Sequence, residues 1–123
     1  MTNDNARRFA ADWAAAWNRR DIETVLAHFH DDVVFTSPTA QAVMGVPTVR
    51  GKAALRDYWT RAITQISSLR FTVDDVLWDP ERRTLAILYT SETNGKMRRV
   101  SENLWFDATG LVSASEVFHG VAS

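Results

Sequence analysis

The sequence of 123 residues contains no cysteine. This removes disulfides, thiolate nucleophiles and sulfur-ligated metals from consideration, and fits a reducing compartment. Neither sign of charge is in excess: 14 Lys+Arg stand against 15 Asp+Glu, for a formal net charge of -1. Without a basic surplus there is little to release counterions from a phosphate backbone, so nucleic acid is not an expected partner. No apolar run approaches the roughly 20 residues that span a bilayer. The stretch from Met1 to Arg8 lacks the apolar core of a signal peptide. A cytoplasmic protein with no membrane partner is expected. The G-x-S-x-G, P-loop and G-x-G-x-x-G signatures are missing, which leaves nucleophilic hydrolases and nucleotide binding without support, and no cofactor is expected.

What is present describes an ordinary domain. Hydrophobic residues make up 46% and charged residues 24%, close to the globular averages of about 45–50% and 25%. One domain over residues 1–123 is expected. Phe9, Trp13 and Trp17 recur every four residues among alanines, which predicts a helix capped near Asn3 or Asp4. Asp21 is the N-cap expected for a second helix through Ile22, Val25, Leu26 and Phe29, and Val33 to Ser37 reads as a short strand stopped by Pro38. Residues 38–50 read as a loop. A third helix follows, on the periodicity of Leu55, Tyr58, Trp59, Ala62, Ile63 and Ile66.

From Arg70 the period changes to two. Strands are predicted at Arg70–Trp78, Thr84–Thr93, Met97–Phe106 and Leu111–Phe118, with Asn94-Gly95 as a type I′ hairpin turn. Helices gathered before consecutive strands predict an α+β domain, a curved antiparallel sheet covered on one side by three helices and enclosing a pocket.

Strand parity selects the candidate chemistry. Glu102 shares a face with Val100, Leu104 and Phe106, and Glu116 shares one with Val112, Ala114 and Phe118. A carboxylate removed from water has its pKa raised, as a general acid or base near neutrality requires, and a second carboxylate nearby raises it further. The plainer reading places both at a solvated sheet rim. Trp13, Trp17, Phe35, Tyr58, Trp59 and Tyr89 lie on apolar stripes, as core or as walls for a flat apolar ligand. His28 and His30 suggest a metal at first sight. On a helix, residues two apart point about 200° apart, so a solvated helix C-terminus is the expected role and no metal site is predicted. His119 follows the last strand, where it would bond a pocket carboxylate or be solvated.

The stretches Trp13-Ala-Ala-Ala-Trp-Asn-Arg-Arg-Asp21, His30-Asp-Asp-Val-Val-Phe-Thr-Ser-Pro38, Arg50-Gly-Lys-Ala-Ala-Leu55 and Glu102-Asn-Leu-Trp-Phe-Asp107 resemble the nuclear transport factor 2-like superfamily, in particular its SnoaL-like branch. The resemblance covers nearly the whole chain and implies a cone-shaped curved sheet wrapped around the helices, a deep pocket and homodimers packed through the sheet. Relatives of this kind include ketosteroid isomerases, polyketide cyclases, limonene epoxide hydrolases and scytalone dehydratases, alongside members that only bind. Relative to ketosteroid isomerases, Trp13 falls where a tyrosine donates to the oxyanion, Ser37 where the base stands, and Glu102 where a protonated acid donates. Relative to the epoxide hydrolases, Glu102 and Glu116 look like the two acids, with Val100 at the place of the arginine between them.

Two functions are carried forward. The first is a cofactor-independent isomerase, cyclase or hydratase acting on a small apolar or polycyclic molecule, with Glu102 as acid/base, Glu116 or His119 as its partner, and Leu104 among the contact residues. The second is a non-catalytic binding or dimerisation module with the same pocket. A homodimer is expected because Met97 and Trp105 share the face opposite Glu102.

Overall fold

A computed structural model describes residues 1–122. Helix α1 (Asn3–Asn18) is capped by Thr2, just before the caps expected at Asn3 or Asp4. The Thr2 side chain accepts from the Asn5 amide while the Asn5 side chain accepts from the Thr2 amide, so two otherwise orphaned donors are satisfied reciprocally. Its inner face is Ala6, Ala10, Trp13 and Ala14, and the small alanines let the helix lie close on the sheet. Asp21 caps α2 (Ile22–Leu26) through the Thr24 amide. This helix is shorter than its periodicity predicts: the chain leaves it after Leu26 and is already extended in β1 (Phe29–Thr36). Val25, Leu26 and Phe29 are buried either way, which is why the helical pattern ran on. His28 and His30 therefore lie in a turn and a strand, not at a helix C-terminus.

The predicted loop at residues 38–50 holds two short elements. Ser37 caps α3 (Pro38–Met44) by accepting from the Thr39 amide, and Gly45 ends it with a left-handed φ of 80°. β2 (Thr48–Arg50) then pairs antiparallel with β1. Gly51, at φ 90°, turns the chain into α4 (Lys52–Thr64), whose buried face is Leu55, Tyr58 and Trp59. Four helices are thus present among the described residues where three were predicted.

The second half forms β3 (Leu69–Asp79), β4 (Thr84–Thr93), β5 (Lys96–Phe106) and β6 (Val112–Ala122), with Asn94 and Gly95 at φ 52° and 80° in the expected turn. The six strands follow the order β2-β1-β6-β5-β4-β3. The sheet is open, with β2 and β3 as edges, and it is mixed rather than wholly antiparallel, since β1 runs parallel to β6. Helix α1 covers the β3 side: the Asn18 side chain both donates to the Phe71 carbonyl at 3.0 Å and accepts from the Phe71 amide at 2.7 Å, standing in for a missing strand neighbour.

One irregularity decides which residues face inward. Along β5 and β6, Phe106 pairs with Val112 but Trp105 pairs with Ala114, so Ser113 is an extra residue in β6. Such a bulge reverses the alternation beyond it. Val112, Ser115 and Val117 are consequently buried and Phe118 is 54% exposed. The face predicted from Val112, Ala114, Glu116 and Phe118 breaks at Ser113, and Glu116 stands opposite Asn103 on the outer side.

Candidate active site

A cavity of about 380 Å³ opens between the concave side of the sheet and helices α1 and α4. That volume falls in the range of about 300–1,000 Å³ common for small-molecule sites. Nine sequence-predicted residues line it: Trp13 and Trp17 from α1, Phe35 from β1, Ser37 from the α3 cap that follows it, Tyr58 and Trp59 from α4, and Tyr89, Glu102 and His119 from the sheet. Two do not. Leu104 is fully buried in the core beside the cavity, and Glu116 is turned away from it by the Ser113 bulge.

The walls are aromatic and interlocked. Trp13 stacks on Phe71 with ring centres 5.5 Å apart and meets the Tyr89 ring edge-on at 5.0 Å. Trp17 and Trp59 form a T-shaped pair at 4.9 Å, and Trp59 in turn packs edge-on against Phe35 at 5.4 Å. Each ring is held by its neighbours, so the cavity has stiff apolar sides.

Among the described residues Glu102 is the only carboxylate on this lining. Its side chain is buried, and desolvation pushes its pKa from 4.5 up to about 7. Two hydroxyls partly oppose that rise: Tyr89 donates to Oε1 at 3.2 Å and Ser115 donates to Oε2 at 3.4 Å. The expected partners, Glu116 and His119, make neither contact. Sequence reading missed Ser115 because the bulge moved it inward, although Val112 and Val117, two apolar residues an odd number apart on one strand, carried the signal.

Tyr58 and Ser37 face the same hollow. Burial pushes the Tyr58 hydroxyl up to about 12, the adjacent Ser37 side chain partly offsetting this, and the Glu102 charge raises it further. Tyr89 is raised well above its ordinary value by burial first and Glu102 second. Both phenols are therefore neutral donors at physiological pH. Ser37, at the place of a base in the resemblance, has its oxygen engaged as the α3 cap and has no basic character.

His119 lies nearer the mouth, opposite Val100 in the β5–β6 ladder. Its Nδ1 is 2.8 Å from Nη1 of Arg98. A guanidinium only donates, so Nδ1 accepts and the imidazole carries its proton on Nε2. Burial, then the Arg98 charge, lowers the His119 pKa. No group of three or more His, Asp or Glu side chains that could hold a metal occurs among the described residues. No helix of the described residues is long and apolar enough to cross a membrane.

Chemically, the site is a protonatable carboxyl flanked by neutral donors at the bottom of an aromatic hollow. Comparison with solved structures shows the same fold. A SnoaL-like protein of unknown function from Burkholderia thailandensis E264 is 26% identical over 98% of each chain, with a TM-score of 0.87. At lower identity the likeness is one of fold. The epoxide hydrolase/cyclase-like enzyme SalBIII, of pyran ring formation in the polyether salinomycin, is 15% identical with a TM-score of 0.75, over 98% of this chain and 95% of its own. TerC, co-crystallised with polyporic acid, is 17% identical with a TM-score of 0.75, over 94% and 92%. No protein of curated function matches the chain. The SnoaL-like domain family matches residues 10–111, more than four-fifths of the sequence, and the chain belongs to that family.

Proposed function

We propose that this protein binds a small apolar or polycyclic molecule in the aromatic cavity and moves a proton on it through Glu102. The observation that carries this reading is a single buried carboxyl with a pKa of about 7 on the wall of a cavity of about 380 Å³. Near neutrality both its forms are populated. The ionised form takes a proton from a carbon beside a carbonyl, or from an attacking hydroxyl or water. The protonated form returns it to another carbon or to a leaving oxygen, so the carboxyl is regenerated. Tyr58, a neutral donor on the same cavity wall, stabilises charge developing on the substrate oxygen, while the single Tyr89 proton is held by Glu102. Isomerisation, cyclisation and hydration all fit this one step. Structural relatives that include an epoxide hydrolase/cyclase-like enzyme and a polyporic acid complex support a small-molecule role.

The test is turnover of ketosteroid, epoxide and polyketide-like compounds by the wild type and by Glu102→Gln. Catalysis should fall about 10²–10⁴-fold in the variant, the contribution typical of a positioned acid/base. A non-catalytic binding module is the second reading, favoured by Tyr89 and Ser115 occupying both carboxylate oxygens. It predicts thermal stabilisation by these compounds with no product.

The reading includes a cytoplasmic homodimer formed through the outer sheet face. Leu77, Met97 and Phe118 are 57%, 45% and 54% exposed there, supporting an apolar contact. Light scattering tests the dimer, and cell fractionation the location.

A further inference from the structure

The mouth of the cavity carries charges that acid/base chemistry at Glu102 does not use. Arg98 and Lys96 both belong to its lining, on the same face of β5 as Glu102. The ion pairs among the described residues engage Arg7, Arg19, Arg56, Arg82 and Arg99, and none engages Arg98 or Lys96. Arg98 is half-buried, and its side chain is bonded to His119, a neutral acceptor. A half-buried guanidinium at the cavity with no carboxylate opposite among the described residues is incompletely compensated, and an anion offering two oxygens is the group its fork fits. The hairpin bearing Lys96 is fixed in place. Asn94 Oδ1 accepts from the Ser67 amide at 2.7 Å and from the Ser67 hydroxyl at 2.9 Å, tying the β4–β5 turn to the chain after α4. Four residues of strand separate Arg98 from Glu102, about 13 Å at the usual rise.

We propose that the cavity selects an elongated anionic ligand: a flat apolar body of two or three rings, an acid group at the mouth held by Arg98 and Lys96, and a hydroxyl or carbonyl at the inner end beside Glu102 and Tyr89. The inner end of this arrangement rests on the acid/base reading, whereas anion capture at the mouth stands whether or not Glu102 does chemistry.

The probes are 6-hydroxy-2-naphthoate and its uncharged analogue 6-hydroxy-2-naphthamide, which carry the same rings. Binding is read from quenching of Trp13, Trp17 and Trp59 fluorescence at neutral pH and low salt, and by calorimetry. The wild type should prefer the naphthoate about tenfold or more, the scale of one charge-assisted contact. Arg98→Met should abolish the preference by weakening naphthoate binding more than naphthamide binding, and Arg98→Lys should restore part of it. Lys96→Met, at an exposed position whose loss cannot unfold the chain, should reduce the preference by a smaller factor and make it less salt-dependent. Equal affinity of the two probes for the wild type, or a preference that survives the Arg98 and Lys96 substitutions together, would overturn the proposal. So would naphthoate binding, read by calorimetry, that is undiminished in Val117→Trp, which places an indole in the cavity. Failure of both probes to bind would overturn it together with the pocket reading. A preserved naphthoate preference in Glu102→Gln, with no turnover of any compound by the wild type, would sink the acid/base reading alone.

Discussion

The Tyr89 hydroxyl donates to Oε1 of Glu102 at 3.2 Å, across adjacent strands and inside the buried face of the sheet. The pair sets the acidity of the site. Burial drives the carboxyl up, and this bond favours the ionised form and holds it down near neutrality.

Removing the bond should therefore move the carboxyl further up. In Tyr89→Phe the Glu102 pKa should rise above that of the wild type, and the acid limb of any pH–rate profile should move with it. Ser115→Ala should act in the same direction with smaller effect, its contact being longer at 3.4 Å. A fall in either variant, measured by carboxyl NMR, would contradict the assignment.

Stability should depend on pH through the same group. Glu102 titrates at about 7 in the folded protein against 4.5 for an ordinary glutamate. Between these values the unfolded chain releases the proton and the folded chain keeps it, so stability is greatest below about 4.5 and declines until about 7. The accumulated loss is about 3 kcal/mol. Glu102→Gln lacks this dependence. Denaturant unfolding of both proteins should show the variant gaining on the wild type across this window and holding a constant lead above it. The difference between the two also cancels His119, whose lowered pKa acts in the opposite direction.

The two residues that leave the predicted site should behave as structure only. Leu104→Ala opens a hole in a fully buried position and should cost about 2–5 kcal/mol. Glu116→Ala, on the outer face, should change stability by less than about 0.5 kcal/mol. Neither should alter ligand affinity of the folded protein, measured by titration below the melting temperature.

His119 should be a fixed tautomer. Nitrogen NMR should find Nε2 protonated and Nδ1 bare at neutral pH, because Arg98 donates to Nδ1. In Arg98→Met the imidazole pKa should rise, the neighbouring positive charge having been removed.

The fold was legible because its signals were local. The four-residue spacing of Phe9, Trp13 and Trp17 marks α1, the periodicity from Leu55 to Ile66 marks α4, and Asn94-Gly95 marks the β4–β5 turn. Glu102 could be found by alternation because β5 is regular on both sides of it. What stayed hidden depended on other parts of the chain. The Ser113 bulge, which exchanges Glu116 for Ser115, exists only in the pairing of β6 with β5. The parallel pairing of β1 with β6 and the shortening of α2 are likewise settled by tertiary contact, since Phe29 satisfies a helical and an extended pattern equally.

A carbon-13 NMR titration of the Glu102 side-chain carboxyl, assigned by its disappearance in Glu102→Gln, reads the buried acid itself. The expected midpoint is about 7. A midpoint near 4.5 would show that the carboxylate is as well solvated as one in water, and would contradict acid/base function at this site.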